Sequence, residues 1–338
     1  MIHPWNQDLF RRLTVDRERM PHALLIQGPR GIGKLDLAQE LANWALCEQP
    51  SPQGACGACG ACHWFAQGNH PDYRRVEPLE ADRDGEAGKE EKPAKKGGRV
   101  IKVEQVREVT EFLSLSSHRG GWRVAVFHPA ELMQSAAANA LLKTLEEPPE
   151  RVLLILVSHQ AGRLLPTVVS RCRRIDVALP ARTPALEWLR AQAVGADPAS
   201  ALDEAGGAPL LALRYAEPDY VERREAFLDR IGAPERLDVC GLAEAFKADP
   251  TEAWQWMNRW LYDLGLQRQA GRSRYFPQRA AVATRLSAGI EPAAFLRLQQ
   301  TLTGAARILR HPLNATLLLE SWLMQYAAMF TQTPGDTR

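Results

Sequence analysis

The sequence lacks the marks of a secreted or membrane protein. Its first residues, Met1 to Trp5, do not form a basic-then-apolar signal pattern, and no apolar run is long enough to span a membrane. Four of the six cysteines are clustered, which indicates metal ligation rather than a disulfide framework. These features predict a cytoplasmic protein with no membrane partner.

The sequence also lacks a strong net charge. The formal charge of +2 argues against a strong general affinity for nucleic acid, although a local basic face stays open. No cluster of carboxylates suited to two metal ions is visible, so intrinsic polymerase or nuclease chemistry has no support. What is present is 338 residues, 45% hydrophobic and 24% charged, which is typical of a soluble protein of two or three domains.

The chain up to Pro180 alternates strand-like with helix-like patterns. The strand candidates are Ala23–Gln27, Asp72–Glu77, Arg123–Phe127, Arg151–Ser158 and Arg174–Val177. Helical patterns lie between them at Lys34–Leu46, Val103–Leu115 and Ala137–Glu147. This alternation predicts an α/β fold with a parallel sheet covered by helices on both faces. The run from Arg151 to Val157 is almost entirely apolar, as expected of a central strand.

Two changes of pattern divide the chain further. Residues 81–99 carry charge and glycine but no large apolar side chain, which predicts a mobile surface insertion because the segment cannot offset its ordering entropy. After Pro180 the strand patterns stop, and helical patterns predict an all-α bundle. The longest of these helical patterns are Thr251–Leu266, Pro292–Ile308 and Pro312–Met329. The tail 331–338 is expected to fray.

The segment Gly28-Pro29-Arg30-Gly31-Ile32-Gly33-Lys34 has the composition of a phosphate-binding loop. A strand-like run precedes it and a helix-like run follows it, which is the context of the G-x-x-x-x-G-K-[ST] motif. In such a loop, backbone amides at a helix N-terminus surround phosphate and the lysine reaches the β and γ oxygens. Gly28, Gly31, Gly33 and Lys34 are therefore candidate cofactor-binding residues. They can equally form only a tight strand-to-helix turn, so nucleotide binding stays open.

Two positions that bind Mg²⁺ in such ATPases are replaced. Leu35 stands where a Ser or Thr hydroxyl normally coordinates the metal, and leucine offers no ligand atom. The hydrophobic strand before His128 should end in a pair of carboxylates, but His128 and Pro129 occupy those positions and Glu131 is displaced along the chain. We therefore expect no ATP hydrolysis, and no intrinsic catalysis, from this chain.

The cysteine cluster is the second chemical signal. Cys56, Cys59 and Cys62 form two overlapping C-x-x-C turns with interleaved glycines, and Cys47 lies upstream. Four thiolates complete the tetrahedron that structural Zn²⁺ prefers and leave no open position for catalysis. The sequence thus predicts a structural zinc site made by Cys47, Cys56, Cys59 and Cys62. His63 competes for the fourth position, and an iron–sulfur cluster or surface cysteines without metal are the alternatives.

The third signal is the triplet Ser170-Arg171-Cys172, just before a strand candidate. An arginine on a loop of a degenerate NTPase fold can reach into a neighbouring subunit's site and stabilise transition-state charge. An ordinary surface arginine is the alternative, because Arg163, Arg173 and Arg174 lie nearby.

A family resemblance becomes visible in the run Ser135 to Pro149, S-A-A-A-N-A-L-L-K-T-L-E-E-P-P. This run closely resembles the signature helix of bacterial AAA+ clamp-loader subunits. Pro21 to Leu25, the phosphate loop, the cysteine cluster and the triplet around Arg171 fall in the family's order, and the resemblance covers residues 1–215 best. Motor subunits of the family keep Thr or Ser after the lysine and an intact acid pair. This chain therefore resembles a non-hydrolysing stator of the family.

The resemblance implies an AAA+ P-loop domain and two helical domains. These are the AAA+ domain 1–179 with a zinc module at 47–62 and the insertion 81–99, a small helical lid domain 180–217, and a helical collar domain 218–330. It also implies that the four cysteines form the family's zinc module and that Arg171 completes the ATP site of an adjacent motor subunit.

The implied partners are those of the DNA polymerase III clamp loader. The chain would join motor (gamma/tau) and delta subunits in a hetero-pentamer that loads the sliding clamp onto primer–template DNA. It would thus be a component of a DNA-directed DNA polymerase holoenzyme, in a nucleoid-associated replisome.

Two departures from the motor pattern further weaken hydrolysis. The usual sensor-2 arginine would fall near Gly206 to Leu210, where no arginine occurs before Arg214, and Ser158-His159 follows the central strand where a polar sensor residue would sit.

Two rival functions stay open. An active ATPase motor of the same family would need other magnesium ligands, and a stand-alone zinc-containing nucleic-acid-binding protein would need a basic face.

Overall fold

The computed structural model describes residues 2–80, 99–115, 117, 121–192, 197–308 and 314–330. The predicted insertion 81–99, except Arg99, and the tail 331–338 lie outside the described residues. The chain divides into two compact units. The first ends at Pro184, and the second begins at Ala185. They are called the N-terminal and the C-terminal unit below.

A parallel sheet forms the centre of the N-terminal unit. The strands are β1 (Ala23–Gln27), β2 (Tyr73–Val76), β3 (Leu79–Glu80), β4 (Arg99–Val100), β5 (Arg123–Phe127), β6 (Val152–Ser158) and β7 (Arg173–Asp176). Among the described residues, five of them form a sheet in the order β2-β5-β6-β1-β7, with every pairing parallel, and β3 pairs with β4 in an antiparallel ribbon. Every residue of β6 is buried, as its apolar run predicts.

Helices that alternate with the strands along the chain cover this sheet, as expected of an α/β unit. They are α1 (Gln7–Leu13), α2 (Lys34–Leu46), α3 (Gly60–Ala66), α4 (Val103–Ser114), α5 (Ser135–Glu146) and α6 (Pro166–Val169). The buried face of α5 is made by Ala137, Ala138, Leu141 and Leu145, which recur at helical spacing. These side chains join the core beneath β5 and β6.

Helices alone make up the described part of the C-terminal unit. Together with α7 (Arg182–Ala191), which crosses the division, they are α8 (Pro198–Glu204), α9 (Pro209–Tyr215), α10 (Pro218–Ile231), α11 (Val239–Phe246), α12 (Pro250–Ala270), α13 (Ala280–Ala288), α14 (Pro292–Ile308) and α15 (Ala315–Ala328). The predicted order, an α/β unit followed by an all-α unit, is confirmed. The finer division into lid and collar stays a prediction.

Tryptophans form the centre of the C-terminal core. Trp256, Trp260 and Trp322 are buried, and Trp260 donates a hydrogen bond to Tyr326, whose hydroxyl donates in turn to the main-chain oxygen of Ile231. Because they are buried, they are packing residues rather than a platform for stacked bases. No helix among the described residues is long and apolar enough to cross a membrane.

Candidate functional site

The carboxyl ends of the parallel strands bring the predicted nucleotide pocket together. Gln27 at the end of β1 pairs with Ser158 of β6 and with Asp176 of β7. The phosphate loop, His128 after β5 and His159 after β6 therefore lie along one edge of the sheet. Ligands of open α/β sheets bind at this edge.

The glycines of the loop are required by its shape. Gly28, Gly31 and Gly33 have φ angles of 146°, 80° and 78°, in the region that glycine adopts most readily. A Cβ atom at Gly28 would collide with the main-chain oxygen of Val177, and one at Gly33 would collide with the ring of His3. The loop thus has the strand-to-helix geometry that the motif predicts, with α2 beginning at Lys34.

Lys34 is turned inward. Its side chain is buried, with 2% of the residue exposed, and the ammonium group donates a hydrogen bond to the main-chain oxygen of Pro29. Burial lowers the pKa of Lys34 to about 8, with Glu131 acting in the opposite direction and Arg30 adding to the lowering. The ammonium group of Lys34 therefore binds the main-chain carbonyl of Pro29, within the loop itself.

Residues before α1 fasten the loop from outside the motif. The indole nitrogen of Trp5 and the side-chain amide of Asn6 each donate to the main-chain oxygen of Ile32 at 3.0 Å. The ring of His3 lies with Nε2 at 3.2 Å from the carboxylate of Asp36, in the first turn of α2. The sequence analysis gave these residues no role, because the segment matches no motif. The contacts of Trp5 and Asn6 with Ile32 thus hold the phosphate loop in place.

Two histidines lie at the carboxyl ends of β5 and β6, along the same edge of the sheet as the phosphate loop. The rings of His128 and His159 lie 5.3 Å apart between centroids, edge to face. Burial is the main cause that lowers the pKa of both, to about 3 for His159, where the nearby charge of Lys34 adds to the effect. The carboxylate of Glu131 accepts the backbone N–H of His159 at 3.1 and 3.2 Å. The position where the sequence predicts the start of the acid pair thus holds the neutral imidazole of His128, and the carboxylate of Glu131 is engaged by the backbone of His159.

The structure brings the four predicted metal-binding cysteines together. Cys47 ends α2, Cys59 caps α3 and Cys62 lies in its first turn. All four sulfurs lie within 4.8 Å of one another, with Cys47–Cys59 at 3.9 Å and Cys56–Cys62 at 4.0 Å. A tetrahedral Zn–S length of about 2.3 Å places sulfurs about 3.8 Å apart, so the set fits one ion. His63 is not part of this group of described residues; its ring contacts Gln67.

The thiols of the cluster differ in how easily they ionise. Burial raises the pKa of Cys47 and of Cys62. Burial also acts on Cys59, but hydrogen bonds from the backbone of Glu48 and Cys62 outweigh it and lower the pKa to about 6. Four thiolates this close oppose each other's ionisation, whereas a divalent ion binds all of them in the deprotonated form.

Arg171 lies on the surface between α6 and β7. Its Nη1 donates to the main-chain oxygen of Thr167 at 2.9 Å, and its Nη2 lies 2.6 Å from Oε1 of Glu146. The next residue, Cys172, is buried in the core, and burial raises its pKa to about 11. In this triplet, the buried side chain of Cys172 anchors the segment in the core, and the guanidinium group of Arg171 is partly exposed.

Fold and site together define a class of protein: a parallel-sheet unit with a phosphate-loop-type turn before α2, in which Leu35 follows the loop lysine, joined to a helical unit. A family described as "DNA polymerase III, delta subunit" matches residues 6–180, and one described as "DNA polymerase III, delta subunit, C terminal" matches residues 218–327. The chain belongs to the family of DNA polymerase III delta-prime subunits.

Curated relatives agree with this assignment. The chain is 36% identical to the DNA polymerase III subunit delta-prime of Pseudomonas aeruginosa, over 97% of this chain and 98% of the relative. It is 33% identical to that of Yersinia pestis, over 80% of this chain and 78% of the relative, and 36% identical to that of Escherichia coli, over 66% and 63%. Among solved structures, a gamma subunit-related protein of Thermotoga maritima matches with a TM-score of 0.46 and 17% identity, over 96% of this chain and 100% of that chain.

Proposed function

We propose that this chain is the non-hydrolysing stator, or delta-prime, subunit of a DNA polymerase III clamp loader. The observation that carries the proposal is the presence of Leu35, His128 and Pro129 at the positions expected of magnesium ligands, in a pocket that keeps the phosphate loop. Such a subunit fixes the geometry of the ring of subunits and transmits the conformational changes that ATP drives in its neighbours.

Arg171 is proposed to act in trans. Its surface position, with the side chain 35% exposed, supports a role at the ATP site of the adjacent motor subunit. There it would stabilise the charge that develops on the transferred phosphoryl group. The proposal includes no hydrolysis by this chain itself.

The proposed assembly is a hetero-pentamer. It contains motor (gamma/tau) and delta subunits, and it places the sliding clamp on primer–template DNA in the cytoplasmic, nucleoid-associated replisome. The proposal includes a small helical lid 180–217, and a collar 218–330 that joins the subunits. The four cysteines would hold a structural Zn²⁺, so the zinc module stabilises the fold.

The experiment is steady-state, DNA-stimulated ATP hydrolysis by the reconstituted complex. Wild type is compared with Arg171→Ala and with Arg173→Ala, which removes a neighbouring exposed arginine on β7. An arginine finger contributes roughly 10³–10⁵ to turnover at its own site, so Arg171→Ala should silence one site of the complex. The chain alone should not hydrolyse ATP, and Arg173→Ala should behave as wild type.

Other outcomes identify the rivals. Hydrolysis by the isolated chain would make it an active motor. Equal turnover of Arg171→Ala and Arg173→Ala would show that Arg171 does not act as an arginine finger. Salt-dependent DNA binding by the chain without partners, with no effect on the complex, would favour the zinc-containing nucleic-acid-binding protein.

A further inference from the structure

Arg171 is held by one carboxylate. Glu146, the last residue of α5, accepts from Nη2 at 2.6 Å, while the oxygen of Thr167 accepts from Nη1. The pair joins two motifs that the sequence singles out separately: the signature helix that begins at Ser135 and the triplet around Arg171. No sequence pattern predicts this contact, because its partners are 25 positions apart and lie in different motifs.

The guanidinium group keeps donors after both contacts. It carries five N–H groups in a fixed plane, and the contacts with Glu146 and Thr167 use two of them. Ser170 adds only a long contact, with Oγ at 3.5 Å from Nη1. About a third of the side chain faces solvent. A phosphate oxygen can therefore bind the guanidinium while Glu146 still holds it.

Stability alone does not account for the pair. Both side chains are partly exposed, 35% for Arg171 and 50% for Glu146, and exposed ion pairs contribute little to folding. An arginine has many rotamers, and an unrestrained one must lose that freedom when it enters a catalytic site. A carboxylate that fixes the orientation beforehand removes this cost from the reaction.

We propose that Glu146 is a positioning residue for Arg171. Its carboxylate oxygen holds the guanidinium in the orientation in which it meets the phosphate bound by the neighbouring subunit. This inference rests on the proposed function, because it requires Arg171 to act in trans.

Three variants test the inference in the reconstituted complex. Glu146→Ala removes the acceptor, Glu146→Gln keeps an oxygen that can accept the same hydrogen bond, and Glu147→Ala removes the adjacent exposed acid as a matched control. Ordering one long side chain corresponds to a change of about five-fold, so Glu146→Ala should lower by about that factor the part of DNA-stimulated kcat that Arg171→Ala abolishes, with little change in KM for ATP. Glu146→Gln should keep more than half of that part, and Glu147→Ala all of it.

A double variant separates positioning from a structural role. In the Arg171→Ala background, Glu146→Ala should have no further effect, because it acts only through Arg171. Thermal unfolding of the isolated Glu146→Ala chain should match wild type, since the pair is exposed.

The inference is wrong if the two losses add, if Glu146→Gln is as slow as Glu146→Ala, or if Glu146→Ala equals Glu147→Ala. These outcomes leave the proposed function intact as long as Arg171→Ala itself lowers turnover. If Arg171→Ala has no effect, the proposed function fails first.

Discussion

Lys34 retains the identity that a phosphate loop requires, but not the environment. In a working loop the charge of the phosphate compensates for the burial of the lysine. Here the ammonium group meets the oxygen of Pro29, and burial lowers its pKa to about 8 despite the opposing charge of Glu131. The same residue can therefore cost stability while it preserves the shape of the loop.

A pH dependence of stability follows from that pKa. Below about pH 8 both folded and unfolded Lys34 carry the proton, and the folded state bears the full cost of the buried charge. Between about pH 8 and the ordinary value of 10.5 only the unfolded lysine keeps its proton, so the free energy of unfolding should rise with pH. Lys34→Met, of similar length and without charge, should lack this rise.

Urea unfolding of the two chains between about pH 7 and pH 10 measures the difference. Groups that Lys34 does not affect titrate equally in both chains and cancel in the comparison. The charge of Lys34 also acts on His128 and His159, but their lowered pKa values place those titrations below this pH range. Parallel profiles for wild type and Lys34→Met would show that Lys34 keeps an ordinary pKa in the folded chain.

The motif predicts the place of Lys34 but not its surroundings. The spacing of glycines and lysine is local, so sequence reading finds it. The contacts of Trp5 and Asn6 with Ile32 join residues 27 and 26 positions apart, and no periodic pattern marks them. The orientation of Lys34 depends on such non-local contacts and on packing, so only the fold reveals it.

At the scale of elements, the five strands of the sheet were predictable to within one residue at each end. The strand predicted at Arg151–Ser158 is Val152–Ser158, and the one predicted at Arg174–Val177 is Arg173–Asp176. Burial on both faces specifies the first of these strongly, whereas in the second only Ile175 is buried. The short ribbon of β3 and β4 was not predicted, because two-residue strands carry no detectable alternation.

The cysteine cluster joins the end of α2 to the start of α3, so the proposed zinc ion should stabilise this part of the N-terminal unit. Cys56→Ser removes one ligand and should reduce bound zinc from one per chain and lower the temperature of unfolding. Cys240→Ser, which changes an exposed cysteine in α11 outside the cluster, is the matched control and should keep one zinc.

Metal analysis of purified protein, followed by thermal unfolding with and without a chelator, measures both effects. If the analysis finds iron and sulfide in stoichiometric amounts instead of zinc, the four cysteines hold an iron–sulfur cluster. Equal metal content in Cys56→Ser and Cys240→Ser would exclude the cluster as the binding site.

At the scale of the whole molecule, the C-terminal unit contains a buried charge cluster that composition does not reveal. Glu204 of α8 is 1% exposed and accepts from Arg224 of α10 at 2.5 Å, from Arg259 of α12 at 3.2 Å and from the hydroxyl of Tyr220 at 2.8 Å. One carboxylate thus joins three helices that lie far apart in sequence. Helical periodicity predicts each helix, but it cannot predict which charges pair between them.

Removing this carboxylate should destabilise the C-terminal unit far more than removing an exposed one. Glu204→Ala leaves two arginines without their buried partner, which costs about 3–5 kcal/mol of unfolding free energy. Glu244→Ala breaks an exposed pair with Lys247, in which 60% and 52% of the side chains are accessible, and should cost at most about 1 kcal/mol. Urea unfolding followed by tryptophan fluorescence, to which the buried Trp256 and Trp260 contribute among nine tryptophans, measures both variants. Similar midpoints for Glu204→Ala and Glu244→Ala would show that the three helices are held by apolar packing alone.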